Sequence, residues 1–157
     1  MIKRIPLLIV ALMMSGFVSA QRSPAGPACH NSAEQNRQIV TDFYSLALAQ
    51  KQVRAGFEQY VRPDFVEHKP DILEGNREGA INFLEGMVKE LPGAQWRVRR
   101  ALAEGDVVAV HASFTPTPAA PDYAIADFFR LENCQIVEHW DVVAPPTTAQ
   151  GNPNSRF

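Results

Sequence analysis

Residues 122–143, DYAIADFFRLENCQIVEHWDVV, decide how this chain is read. Apolar and polar side chains alternate on both sides of Asn133-Cys134, which marks a hairpin turn between two strands. The second strand carries Ile136, Val137, Trp140, Val142 and Val143, yet Glu138, His139 and Asp141 interrupt it. Alternate residues of a strand share a face, so His139 and Asp141 point the same way. An imidazole and a carboxylate on one face of so hydrophobic a strand imply either a wet surface or a pocket lining.

Register decides what joins them. A two-residue loop pairs Glu132 with Gln135 and sets Asp127 against Trp140. A three-residue turn with a bulge at Cys134 pairs Leu131 with Gln135. Asp127 then lies opposite His139, Ile125 opposite Asp141, and Arg130 diagonal to Glu138. The second register is preferred, because it leaves fewer polar groups without partners. It gathers Asp127, His139 and Asp141 on the face that also holds Ile125 and Phe129. Trp140, Phe128 and Ile136 then face the other way. Both registers ask residue 134 for a positive φ, a poor position for Cys unless its sulfur is needed.

Upstream, Gln95–Ala103 alternates Trp96, Val98 and Leu102 against Arg97 and Arg99, Glu104-Gly105-Asp106 turns, and VVAVHASFT follows as another strand. Before residue 94 the period is helical. Ser32-Ala33-Glu34-Gln35 opens a helix over 33–50 with a capping-box pattern, a shorter helix covers 53–61, and a third runs over about 77–91 until Pro92-Gly93. PDFVEHKPDILEG between them reads as a loop. Helices followed by a meander of four long strands give an α+β domain with helices on one face of a mainly antiparallel sheet. If that sheet curves strongly, it and the helices enclose a cone-shaped cavity.

The N-terminus is different in kind. Lys3 and Arg4 precede an uncharged apolar run that ends at Val18-Ser19-Ala20, the pattern of a signal peptide cleaved near Ala20. A periplasmic or secreted protein is therefore expected, with 1–20 as signal, 21–31 as a flexible leader, and 32–157 as one domain whose 145–157 tail is irregular. Removing residues 1–20 from the 157 leaves 137, enough for a real core. It also removes two of the 15 basic residues against 17 acidic ones, so the balance becomes 13 − 17 = −4. That mild acidity argues against nucleic acid or an anionic membrane as partner. In an oxidising compartment Cys29 and Cys134 either form one bridge to the sheet or remain independent thiols, and geometry decides between these.

Two further histidines complete the polar set. His111 sits in an apolar strand, either as a core histidine bonded to a carbonyl or as part of a pocket wall. His68 lies before Pro70 and would line the mouth. A carboxylate beside a half-desolvated imidazole supplies a base and an acid suited to proton abstraction next to a carbonyl. The case for a Ser or Cys nucleophile is weak, since neither Ser113 nor Cys134 has a motif around it. Metal binding by His68, His111 and His139 with Asp127 or Asp141 is the competing chemistry. No short-range ligand spacing such as HxxxH occurs, so no metal is expected.

AIADFFRLENCQIVEHWDVV, with FVEHKP and EGDVVAVH upstream and the closing GNPNSRF, resembles the SnoaL-like, polyketide cyclase-like branch of the nuclear transport factor 2 superfamily. The resemblance implies a cone-shaped α+β barrel with a deep apolar pocket, commonly a homodimer through the outer sheet face. It also implies acid/base ring closure by intramolecular aldol condensation without a cofactor, or isomerase and dehydratase relatives of it, or a non-catalytic binding domain. The expected partner is a small apolar or carbonyl-containing molecule. The branch often has Gln and Asn around the loop histidine where this chain has Glu67 and Lys69, and Gly at the hairpin position filled by Cys134. The expected catalytic set is Asp127, His139 and Asp141, with His68, His111, Phe129 and Ile125 lining the pocket.

Overall fold

The computed structural model of the chain describes residues 29–147 and 154–157. The signal-peptide reading of residues 1–20 and most of the leader fall outside the described residues. Helix α1 spans Ala33–Phe43 and continues as a π-helical stretch over Tyr44–Ala49. Helix α2 is Val53–Tyr60 and α3 is Arg77–Glu90. The strands are β1 Val61–Glu67, β2 Gln95–Glu104, β3 Val107–Thr115, β4 Tyr123–Glu132 and β5 Gln135–Ala144.

Local chemistry sets these limits. Ser32 Oγ accepts from the Gln35 N–H at 3.2 Å, and the Gln35 side chain reaches back to the His30 N–H at 2.8 Å. The first bond satisfies an orphan donor at the start of α1, and the second ties the preceding segment to the helix. Asn76 caps α3 in the same way, accepting from the Gly79 N–H at 3.0 Å.

The sheet is mixed, open and ordered β1-β5-β4-β3-β2, with β1 parallel to β5 and the other neighbours antiparallel. The segment read as a loop is thus partly a fifth strand. Pro63 sits within it, which only an edge strand tolerates. The helices cover one face of the sheet, α1 against β2 and β3, α2 and α3 against β1. Phe43, Phe57, Ile81, Val110 and Leu131 are among the residues buried between the layers.

Neither expected register for the β4–β5 hairpin is the observed one. The turn is the two-residue kind, with Glu132 opposite Gln135 and positive φ at both Asn133 (49°) and Cys134 (61°). Val137 is then an extra residue, because Leu131 pairs with Ile136 while Arg130 pairs with Glu138. The bulge sets Asp127 opposite Asp141 and Phe129 opposite His139. One face still collects Asp127, His139 and Asp141, since a single inserted residue restores the parity that the tight turn had broken. It also turns Ile136 inward, correcting the outward placement expected for it. A second bulge at Arg99 moves Leu102 to the outside, where it is 70% exposed.

Cys29 and Cys134 are joined by a disulfide across a Cα–Cα distance of 5.8 Å. Asn31 Oδ1 accepts from the Cys134 N–H at 2.9 Å, so bridge and hydrogen bond together fasten the segment before α1 to the hairpin.

Candidate acid/base pocket

Between helices and sheet lies a cavity of about 330 Å³. Its helical side and far end are apolar: Phe43, Phe57, Phe83, Met87, Trp96 and Phe114. Its other wall is built from the end of β1, the loop after it, and the inner faces of β4 and β5. That wall carries Glu67, Lys69, Asp71, Asp127, His139 and Asp141, with Tyr44 opposite on the π-helical stretch.

The geometry centres on His139. The parallel pairing of β1 with β5 places Glu67 beside it, and the His68 N–H donates to the His139 carbonyl at 3.0 Å. His139 Nδ1 lies 2.8 Å from Glu67 Oε1 and 3.0 Å from Oε2, and Nε2 lies 3.1 Å from Asp127 Oδ1. The other Asp127 oxygen accepts from the Tyr44 hydroxyl. Glu67 Oε1 also accepts from the Lys69 N–H at 2.8 Å. The result is a buried chain, Glu67–His139–Asp127–Tyr44, with the Phe129 ring stacked on the imidazole at 4.7 Å. Beside it Lys69 Nζ donates to Asp141 Oδ2 at 2.7 Å and lies 3.4 Å from Asp71.

Burial alone would push the His139 imidazolium toward neutrality. The hydrogen bonds to Asp127 and Glu67, with their charges, outweigh it and raise the pKa from 6.5 to about 9. At neutral pH His139 is therefore a cation donating from both ring nitrogens. Burial first and Asp127 second push the Tyr44 hydroxyl well above its ordinary value, so it stays a donor. Desolvation lowers Lys69, but the bond and charge of Asp141, with a smaller share from Asp71, prevail and raise it. His139 cannot serve as base in this state, and a base on this wall has to be a carboxylate.

Five of the expected residues meet here: Asp127, His139 and Asp141 on the polar wall, Ile125 and Phe129 beside them. Two do not. His68 lies outside the cavity, its Nε2 2.9 Å from Glu138 Oε1 and its ring stacked on Trp140 at 4.7 Å. One strand step separates it from Glu67, so the inward position belongs to Glu67. His111 is also outside, 3.1 Å from Arg100 and stacked on Phe157, because Val110 and Ala112 take the inward positions of β3. The three histidines of the competing metal reading are therefore dispersed. Among the described residues no group of three His, Cys, Asp or Glu side chains is placed to hold a metal ion.

Glu67, Lys69 and Tyr44 were missed as site residues. Phe65, Glu67 and Lys69 alternate at period two, a signal that a strand reading of 61–67 would have used. Tyr44 had none, since it fits the apolar stripe of α1.

The fold that carries this wall, helices on one face of a mixed sheet, is that of the SnoaL-like proteins. The SnoaL-like domain profile matches residues 40–139, and the chain belongs to that family. No curated protein matches the sequence. Among solved structures it is similar to a SnoaL-like protein from Jannaschia sp. CCS1 provisionally assigned as a polyketide cyclase, with TM-score 0.59 and 23% identity over 80% of this chain and 91% of that one. IdmH from Streptomyces antibioticus, with the same provisional assignment, matches with TM-score 0.60 and 21% identity over 69% and 91%. AclR from Streptomyces galilaeus, provisionally a hydroxylase, matches with TM-score 0.60 and 22% identity over 71% and 90%. Such different descriptions on one architecture bear on fold alone.

Proposed function

We propose that this protein is a cofactor-independent acid/base enzyme acting on a small carbonyl compound, by aldol cyclisation, isomerisation or dehydration. The observation that carries it is the Glu67–His139–Asp127–Tyr44 chain on the wall of an aromatic cavity. Packing does not require it, because well-packed hydrophobic residues in place of a buried ion pair are often as stable or more so. Charged groups sequestered in a cleft, each held by its neighbours, are what proton transfer needs.

In this reading Asp127 is the base. Its two oxygens accept one bond each, from His139 and from Tyr44, and a carboxylate retains further lone pairs for the substrate. Asp127 takes the proton from the carbon next to the carbonyl, and the C–H electron pair forms an enolate. For ring closure, the enolate carbon attacks a second carbonyl of the same molecule, and the new alkoxide recovers the proton from Asp127. His139 orients Asp127 and compensates its charge rather than acting as a second base. Asp141, bound to Lys69, is the less available carboxylate.

The test is exchange of α-protons into D2O across a panel of small ketones and diketones, followed by proton NMR. Wild type should accelerate exchange of those that bind, and Asp127→Asn should abolish the acceleration while binding persists. Binding without exchange in the wild type would make the pocket a ligand-binding module instead.

Export and pairing belong to the same proposal. The Cys29–Cys134 bond supports an oxidising compartment, and N-terminal sequencing of the exported protein should begin near Gln21. Phe128 (39% exposed) and Val142 (64%) on the outer sheet face support a homodimer. Sedimentation should give twice the chain mass, reduced to one by Val142→Lys.

A further inference from the structure

The polar wall holds more donors than the substrate can use. Both His139 nitrogens are committed to carboxylates, and the Tyr44 hydroxyl is committed to Asp127. Lys69 differs. An ammonium has three hydrogens; one goes to Asp141 at 2.7 Å and a second points to Asp71, a rim residue 70% exposed, at 3.4 Å. The third is uncommitted. Among the described residues lining the cavity, Lys69 is the cation with a hydrogen to spare, and Tyr123 adds only a neutral hydroxyl. Its place is also suitable. Asp141, which holds it, is the direct cross-strand partner of Asp127, so the two carboxylates are neighbours on one wall, with Cβ atoms about 5 Å apart.

We infer that Lys69 is the electrophilic donor of the site: its ammonium hydrogen-bonds the substrate carbonyl oxygen and stabilises the negative charge that develops there when Asp127 removes the neighbouring proton. This rests on the acid/base reading above and adds the second half of the chemistry. The proton moves from carbon to Asp127, the electron pair moves to the carbonyl oxygen, and the ammonium proton is shared with that oxygen without leaving nitrogen. A fixed cation aimed at developing charge in a water-poor site is the effective form of such help. The charge balance also selects the substrate. Four carboxylates (Glu67, Asp71, Asp127, Asp141) surround two cations (Lys69, His139), so a neutral carbonyl compound is accepted, whereas one that arrives with its own carboxylate meets repulsion.

The experiment uses 2-naphthol, an aromatic alcohol that resembles an enol and whose ionisation changes its absorption and emission. It enters neutral, gives its proton to Asp127, and places its oxygen where the enolate would be. At pH 7.5 the bound naphthol should be more ionised than the free molecule. Removing the Lys69 hydrogen bond should lower the ionised-to-neutral ratio by about tenfold to a hundredfold. Lys69→Met strands Asp141, so the measurement is repeated in Lys69→Met/Asp141→Asn, which leaves no buried charge unpaired. Lys69→Arg, which keeps a cationic donor, should restore the ionised fraction. 2-Naphthoate should bind at least tenfold more weakly than 2-naphthol in wild type. Equal ionisation in wild type and in Lys69→Met/Asp141→Asn overturns the role of Lys69 and leaves Asp127 as base. Failure of wild type to bind or ionise the naphthol overturns both.

Discussion

His139 links the pocket to the stability of the fold, and its magnitude can be worked out. Its pKa of about 9 against an ordinary 6.5 means that the folded state holds the proton more tightly than the unfolded chain. At about 1.4 kcal/mol for each tenfold difference in affinity, the imidazolium contributes about 3 kcal/mol. The side chain is only 13% exposed, so solvent screens little of this. Because the folded value is the raised one, the contribution is complete below pH 6.5 and is lost as pH rises through about 9. Urea unfolding of wild type and His139→Gln at intervals from pH 6 to pH 10 reads it, since groups that do not touch His139 titrate alike in both. The stability difference between the two should fall by about 3 kcal/mol over that range. In Glu67→Gln, which lacks one of the two carboxylates holding the proton, the fall should be roughly half as large. A difference that stays flat from pH 6 to pH 10 would refute the bridged imidazolium.

Other consequences are simpler to measure. The Cys29–Cys134 bond closes a loop of 105 residues, so Cys29→Ser/Cys134→Ser should lose about 4 kcal/mol of unfolding free energy. With Gly in place of Ser at 134, about 1 kcal/mol should return, because residue 134 is left-handed (φ 61°) and Gly accepts that freely. Gly56→Ala should cost about 1–3 kcal/mol, since a Cβ there would lie 2.6 Å from that of Ala47. Gly86→Ala, in α3 with nothing within 4 Å, should gain about 0.5–1 kcal/mol, and urea midpoints distinguish the signs. His68→Ala should lose no more than about 1 kcal/mol and leave naphthol ionisation unchanged, since His68 lies half-exposed outside the cavity.

The parts of the fold written in local periodicity were legible: three helices and the Ser32 cap of the first, four antiparallel strands, and the α+β arrangement. β1 was not, because its partner is parallel and about 75 residues away at Val61 and Ile136, and because Pro63 reads as a breaker. Bulges are equally silent. Val137 and Arg99 each shift a register without any residue type that demands it. The shared face of Asp127, His139 and Asp141 survived this because parity, not pairing, decides which way a side chain points. The histidines show the limit of residue type as a guide. His68 and His139 both follow a glutamate in sequence, but His68 lies one step beyond Glu67, the cross-strand partner of His139, and so is a stacked outer ring while His139 sits between two carboxylates. Glu67 and Lys69 stood in plain view as charged residues in FVEHKP, and only the edge strand shows that they point inward.

The most direct measurement is the nitrogen-15 NMR titration of the His139 ring, in wild type and in Asp127→Asn. Both ring nitrogens should carry imidazolium shifts at pH 7.5, with a midpoint near 9 that falls when Asp127 is neutralised, and the signals should move when 2-naphthol enters the cavity. A neutral ring at pH 7.5, titrating near 6.5 in both proteins, would contradict the charged chain on which the proposed chemistry depends.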